Sequence, residues 1–514
     1  MLKNQGHWLL FAAVVIVGLF ASLWLYSLDK FSLLYYGDSV SHIVAARKLV
    51  DWNDPGLHQM GTVWLPLPHL LLLTFVLFDS LFTSGFAGVI VNLTCLAFGA
   101  MLIYLLAKKP MEEKNAIPAL LAGILFAFNP NILYLALTPM SELPFLLFFI
   151  GSAFFFHRWL TNIADRKAYY LCSFFIALAT MCRYEGWVLP VFLSTVVVVL
   201  ALQGRIDRVE RKTVIIGLAI SLSGVMLWMG YNALRYGDPC EFSNARYYSA
   251  AAQAVTRPIR ETVFLKPLNV LSMYYETAVR IYGFVPVWAS ILGIAFLFLK
   301  QNRHHILLFA FLALPPCFTL ISLFLGIAEI SEWFNTRYLV LLSPLVSISV
   351  MLTFKELAKR AKRRATLVIG LAILLLFVFQ WRTFSKEVVT YREAQYGFRW
   401  KQNPSAVKTG ELLRSIYDEG TIAMMTGSAQ EHRIMITSGI PLRQFDELIE
   451  SSRWKKTYTA PWFSNRWLVM SKEPDTDAQS VLAYWNGREK ELQEHYMTVY
   501  ENEYFRVFRQ VPRP

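Results

Sequence analysis

The chain has 514 residues, 55% of them hydrophobic and 17% charged, with a formal net charge of +13. Apolar runs that repeatedly reach the roughly 20 residues needed to cross a bilayer exclude a soluble globular protein and mark a polytopic membrane protein. The basic excess does not indicate nucleic acid, because most Lys and Arg fall in short loops between apolar runs, where membrane orientation places them.

The first apolar run, 8–26, is longer than a signal-peptide core and lacks a small-residue cleavage site, so it reads as an uncleaved signal anchor. About ten residues beyond it comes Tyr35-Tyr36-Gly37-Asp38-Ser39. Gly37 permits a tight turn, and 40–52 has the spacing of an amphipathic helix lying on the membrane surface. Asp38 thus suits either capping of that helix or chemistry at the bilayer edge. The next apolar stretch, 63–78, is interrupted by Pro66 and Pro68 and reads as an interfacial or re-entrant helix.

Further spans are expected at 85–107, 116–136, 141–160, 168–182, 186–202, 213–232, 279–299, 305–326, 338–354 and 366–384. Basic residues collect in alternate loops: Lys108, Lys109 and Lys114; Arg158, Arg166 and Lys167; Arg205, Arg208, Arg211 and Lys212; Lys300 and Arg303; and the run 355–364. Those loops and the N-terminus are assigned to the cytoplasm. The fold class expected is a polytopic α-helical membrane protein with about eleven transmembrane helices, interfacial helices and an external C-terminus. Counting 63–78 as a full span gives the alternative, about twelve spans with Asp38 cytoplasmic.

The division expected is a membrane domain over 1–385, with a first external loop at 28–84 and a long external loop at 233–278, followed by a small external α/β domain over 386–514. In that tail, helical periodicity covers 405–417, 442–453 and 477–494, and β-like runs cover 421–425, 434–437, 467–471 and 505–510. Residues 386–403 read as an aromatic-rich linker on the membrane surface. Thr426-Gly427-Ser428 reads as a turn, since one glycine does not make a nucleotide loop. The five cysteines show no Cys-x-x-Cys or Cys/His ligand spacing. His42, His58 and His69 lack a compact carboxylate set, so no resident cofactor is expected, with a divalent metal as the alternative.

With that orientation, several polar clusters fall on the external side. Glu142 opens a span in Thr138-Pro139-Met140-Ser141-Glu142-Leu143-Pro144; Arg183-Tyr184-Glu185-Gly186 joins two spans; Arg337-Tyr338 opens another, after Glu329, Glu332 and Asn335. The long loop adds Arg246, Arg257, Arg260 and Lys266 among Tyr247 and Tyr248. Each taken alone also suits a helix cap, an interface anchor or a local ion pair, including an Arg183–Glu185 pair. Carboxylates and arginines at an outer leaflet fit transfer of a group from a lipid phosphate: Arg holds the leaving phosphate bidentately and a carboxylate serves as general base.

These segments resemble the GT-C superfamily of membrane glycosyltransferases, in the polyprenyl-phosphate-sugar-dependent branch that includes aminoarabinose transferases and protein O-mannosyltransferases. The likeness rests on Gly37-Asp38 after the first span, Trp64-Leu65-Pro66-Leu67-Pro68-His69, Ser141-Glu142-Leu143-Pro144, Arg183-Tyr184-Glu185-Gly186, Tyr236-Gly237-Asp238-Pro239 and Arg337-Tyr338. Leu143 departs from the family's second acidic motif, where proline follows the acid directly.

The resemblance implies an inverting glycosyltransferase at the external face of the plasma membrane, with a mannosyltransferase-like role in cell-envelope glycosylation. Its partners are a polyprenyl-phosphate sugar donor, a protein, lipid or glycan acceptor and membrane lipids, with no nucleic acid. In that reading Asp38 is the base and Glu142 orients acceptor or sugar. Arg183, Arg337 or Arg246 hold the phosphate, and His42, Trp64, His69, Tyr184, Glu185 and Tyr338 line the acceptor cavity. Two rivals stand beside it, a transporter or flippase for lipid-linked sugars and a non-catalytic scaffold.

Overall fold

The computed structural model describes residues 5–108, 116–206, 208–244, 259–300, 302–361, 388–399, 403–424, 428–447, 460–472, 485 and 487–511. Among them, seven helices are long and apolar enough to cross a membrane: Gly6–Leu28, Phe86–Lys108, Glu142–Thr161, Tyr184–Leu202, Glu210–Tyr236, Arg303–Phe324 and Thr336–Ala361. The chain is a multi-pass α-helical membrane protein, and each of these helices coincides with a span expected from hydropathy.

Two expected spans are broken. Ile117–Ala127 and Pro130–Ala136 meet at 62°. The break follows from Asn129, whose side chain caps the second piece by accepting from Asn131 N, and from Pro130, which takes the first helical position. Pro267–Tyr282 and Phe284–Leu299 meet at 113°, with Gly283 between them at φ 87°. The span expected at 279–299 therefore starts at Phe284, and 279–282 belongs to the preceding helix. If each bent pair is one span, the described residues hold up to nine. The stretch 168–182 forms Arg166–Thr180, 15 residues and short of membrane length. The span expected at 366–384 lies outside the described residues. Within 63–78 the helix is Leu67–Val76, ten residues or about 15 Å, half of a hydrocarbon core of about 30 Å.

Packing divides the chain into two compact units, one of Met1–Leu28, Thr62–Pro68 and Gly88–Glu393, the other of Asp29–Gly61, His69–Ala87 and Ala394–Pro514. The units do not follow the chain-order boundary at 385/386: most of the stretch expected as a first loop of the membrane domain, Thr62–Pro68 excepted, folds with the tail.

The first unit is helical, with Glu142–Thr161 packed on Arg166–Thr180 and on Arg303–Phe324. Phe311 stacks at 4.7 Å on Phe156 and at 6.0 Å on Phe149. Small residues allow the helices to close up, as membrane helices require. At Gly88 a Cβ would stand 2.5 Å from the Pro139 backbone nitrogen, so helix Phe86–Lys108 lies directly on the turn that precedes Glu142.

The second unit contains a five-stranded sheet in the order β2-β1-β3-β5-β4, with β1 Ile422–Met424, β2 Phe445–Glu447, β3 Trp467–Ser471, β4 Tyr496–Glu501 and β5 Phe505–Gln510. β1 runs parallel to β2 and β3, while β5 is antiparallel to β3 and β4. Its core is Ala423, Leu468, Trp485, Leu492, Tyr496 and Phe508. Asn502 closes the β4–β5 turn by accepting from Tyr504 N and Phe505 N.

Several tail expectations change. The run 434–437 is not a strand but part of helix Ala429–Ser438, which Ser428 caps by accepting from Glu431 N and Gly439 ends at φ 66°. A short apolar run buried all round does not distinguish strand from helix; the capping residues on either side do. The helix expected at 442–453 is, where described, the turn Leu442–Gln444 followed by β2. Helix 405–417 is observed as Asn403–Ile416; of 477–494, which up to 486 lies largely outside the described residues, Glu489–His495 is helix. Most of the linker 386–403 is helix Val389–Arg399. In Thr426-Gly427-Ser428, the first two residues lie outside the described set.

Candidate active site

In the first unit, Gly88 and Asn92 fix the turn before Glu142. Asn92 Nδ2 donates to Thr138 O at 2.5 Å and to Met140 O at 2.7 Å. Glu142 then begins its helix with 0% exposure, one residue after a helix-capping Ser141 whose hydroxyl makes no cap bond. Ser141 Oγ instead accepts from Arg183 Nη1 at 3.0 Å, and the same nitrogen donates to Glu142 Oε1 at 3.0 Å. Arg183 also grips Glu185 Oε1 through Nε at 3.2 Å and Nη2 at 2.7 Å. Gly186 makes this turn possible, because a Cβ there would meet Ala179 O at 2.8 Å.

Arg337 approaches from the start of helix Thr336–Ala361. Its Nε stands 3.3 Å from Glu142 Oε1 without hydrogen-bond alignment, and its Nη1 donates to Glu393 Oε1 at 2.8 Å. Glu393 Oε2 accepts from the Thr336 hydroxyl and from Arg337 N. The half-buried Tyr338 ring lies near both guanidiniums, 5.2 Å from Arg183 and 5.5 Å from Arg337.

The structure thus gathers Glu142, Arg183, Glu185, Arg337 and Tyr338 in one cluster, and adds Ser141, Thr336 and Glu393. Arg183 is committed both to the pair with Glu185 and to Glu142. Burial, the largest influence on Arg183, opposes its charge, but Glu185 and Glu142 outweigh it and hold the guanidinium more firmly protonated than usual. Three carboxylates face two guanidiniums here, and Glu142 Oε2 is buried with no hydrogen-bond partner among the described residues.

Glu393 escaped the sequence reading because 386–403 read as a linker. Its signal was present: Val389, Thr390, Glu393 and Ala394 are all buried at helical spacing, so an acid sits in an inward stripe. Beside the cluster, Tyr184 OH donates to Val63 O at 2.8 Å and accepts from Trp228 Nε1 at 3.2 Å. Leu67 N donates to Met181 O at 3.0 Å. These bonds strap the Trp64 segment to the Arg183–Tyr184 turn. Arg246 and Arg257 lie outside the described residues.

Asp38, His42 and His69 belong to the second unit. Asp38 does not cap its helix. Helix Gly37–Lys48 has Tyr36 at the cap position with no side-chain cap bond, and Asp38 is the acid of the first turn, half-exposed, where the helix dipole favours it. Gly37 is needed for close approach rather than for a turn: a Cβ there would meet Ala429 Cβ at 3.2 Å. The surface helix expected over 40–52 is instead buried from Ser39 through Ala46 and again at Lys48. Its polar residues find partners inside the unit, which removes the need for water on one face.

Ser41 Oγ lies 2.9 Å from His432 Nδ1, His432 Nε2 lies 2.8 Å from Glu447 Oε1, and Lys48 Nζ donates to Glu447 Oε2. Burial alone would raise the Glu447 carboxyl, but Lys48 and His432 outweigh it and hold it well below the usual carboxylate range. His42 Nδ1 and His69 Nε2 are 2.9 Å apart, both buried. No group of three or more His, Cys, Asp or Glu side chains suited to a metal ion occurs among the described residues.

Residues 67–231 match the family model described as dolichyl-phosphate-mannose-protein mannosyltransferase. The fold matches ArnT from Cupriavidus metallidurans, crystallised with undecaprenyl phosphate, at a TM-score of 0.55 and 14% identity, covering 99% of each chain. It also matches the oligosaccharyltransferase of Archaeoglobus fulgidus in the apo form, at 0.53 and 12% identity over 92% of this chain and 70% of that one. The same enzyme tethered to an acceptor peptide matches at 0.52 and 11%, over 99% and 74%. No curated protein matches by sequence. The resemblance drawn from the motifs holds at the level of fold.

Two outcomes follow from the buried charges. Arg337→Met leaves Glu142 and Glu393 short of a cation and is expected to cost about 3–5 kcal/mol, read as a lowered melting temperature in detergent, whereas Arg337→Met with Glu393→Met costs less. For Glu447 the folded carboxyl titrates below its unfolded counterpart near about 4.3, so its stabilising contribution is complete above that pH and is lost as pH falls. Melting temperature measured on acidification from about pH 5 is expected to fall more steeply in the native chain than in Glu447→Gln.

Proposed function

We propose that this chain is an inverting glycosyltransferase of the GT-C superfamily that moves a sugar from a polyprenyl-phosphate donor to an acceptor hydroxyl. The observation that carries the proposal is the end-to-end likeness, 99% of both chains, to an ArnT crystallised with undecaprenyl phosphate. In the reaction proposed, Asp38 takes the acceptor O–H proton and the acceptor oxygen bonds to the anomeric carbon. The bond from that carbon to the phosphate oxygen breaks, and the lipid phosphate leaves with the electron pair.

Arg183 and Arg337 are proposed to meet the charge on that phosphate, which requires each to relax part of its hold on Glu185 or Glu393. Glu142, already balanced between both guanidiniums, is proposed to orient acceptor or sugar. With guanidiniums in that role, no resident metal enters the proposed steps. The site is proposed to open on the external face of the plasma membrane, with about eleven spans, a cytoplasmic N-terminus and the sheet-containing tail outside.

The two bent helix pairs favour a second reading, a transporter of lipid-linked sugar, because interrupted helices are common in transporters. Release of free polyprenyl phosphate from a labelled lipid-linked sugar by the purified protein separates the two, since transport leaves the donor intact. Asp38→Asn is expected to lower that release by about 10²–10⁴ without loss of yield; undiminished release removes Asp38 from the chemistry. In intact cells, an impermeant thiol reagent is expected to label Asp54→Cys and to spare Gln203→Cys, both exposed positions; the reverse pattern inverts the topology.

A further inference from the structure

The helix that carries Asp38 is held by the tail at four places. Before it, Leu34 O accepts from Arg433 Nη2 at 3.0 Å. At its start, Gly37 touches Ala429, leaving no space for a larger residue without a shift. One turn on, Ser41 meets His432; at its end, Lys48 meets Glu447, with its ammonium 4.3 Å from the Trp52 ring centroid. Three of the tail residues, Ala429, His432 and Arg433, lie on one helix, Ala429–Ser438, and Glu447 ends strand β2. Arg433 is itself fixed, donating from Nε to Asn403 Oδ1 at 3.1 Å and covering the Phe398 ring at 4.7 Å.

This network is an expensive way to join two elements. A buried Lys–Glu–His set rarely stabilises more than apolar residues of the same volume, and its best-attested use is to fix register. Two packed apolar helices slide or rotate at little cost, whereas polar pairs at Ser41 and Lys48, two turns apart, admit one rotation and one translation. Asp38 lies less than one turn from Ser41, so the same pairs set where its carboxylate stands.

We propose that the C-terminal α/β region is a positioning part of the transfer machinery, in which Glu447 fixes His432 and Lys48, and through them the helix that presents Asp38. The proposal rests on the reading of Asp38 as the base. Glu447, His432, Lys48 and Ser41 are positioning residues, acting through that helix rather than on substrate. A base displaced by about 1 Å loses on the order of 10²-fold in rate.

The test uses the full chain in vesicles with a labelled polyprenyl-phosphate sugar, and compares Glu447→Gln with the milder Ser41→Ala, which removes only a hydroxyl. Glu447→Gln is expected to lower kcat by about 10–100-fold and Ser41→Ala by several-fold, with donor KM within about twofold of native. In the Asp38→Asn background neither change is expected to lower the residual rate further, because a base already absent cannot be misplaced. Loss of the same size in both backgrounds, as general damage to the fold would give, overturns the proposal. So does native kcat in both variants. If Glu447→Gln does not fold, Ser41→Ala decides by the same two comparisons. Full activity in Asp38→Asn removes the base reading and this proposal with it, whereas an inactive Asp38→Asn beside fully active network variants removes only the positioning role.

Discussion

A carboxylate withdrawn from water loses several kcal/mol of hydration, and the loss must be met by cations and donors held close enough to replace the water. Glu142 has no exposed surface, so two guanidiniums stand beside it. Each of those is itself costly to bury, and each is paired again, Arg183 with Glu185 and Arg337 with Glu393. The chain of debts runs outward from Glu142 and determines which segments must meet. The start of helix Glu142–Thr161, the Arg183–Gly186 turn, the start of helix Thr336–Ala361 and the start of helix Val389–Arg399 come together because each supplies charge to the cluster, the Arg183–Gly186 turn supplying both Arg183 and Glu185.

The same constraint explains why local packing is tight where the charges are. Gly88 lets a helix rest on Pro139, and Gly186 lets the arginine turn rest on Ala179. A looser fit at either point would admit water and weaken each pairing. Tyr338 lies against both arginines.

In the second unit the logic repeats on a smaller scale. Helix Gly37–Lys48 contains Ser41, His42 and Lys48, residues usually left to solvent, yet all three are buried. Glu447 and His432 make that possible for Ser41 and Lys48, and His69 stands against His42. The tail therefore finishes the fold of a segment that precedes it by almost 400 positions. The tail from Ala394 is not a self-contained appendage, since its unit includes Asp29–Gly61 and His69–Ala87.

Hydropathy and charge alone determined the class of the protein, the position of most membrane-length helices and the short helix at 67–76, because a bilayer imposes length and polarity on a segment without reference to its neighbours. Motif order named Asp38, Glu142, Arg183 and Arg337 as candidates, of which the structure brings the last three together. Partnership was not legible. Glu393 lay hidden in an apparent linker, Glu447 and His432 in an apparent soluble domain, and Asp38 looked like a cap until Tyr36 took that place. The strand expected at 434–437 failed for the same reason, its apolar run being equally at home in a buried helix. Local pattern records what a residue is exposed to on average, whereas a buried charge is satisfied by one particular group brought from far along the chain, and only the tertiary structure decides which.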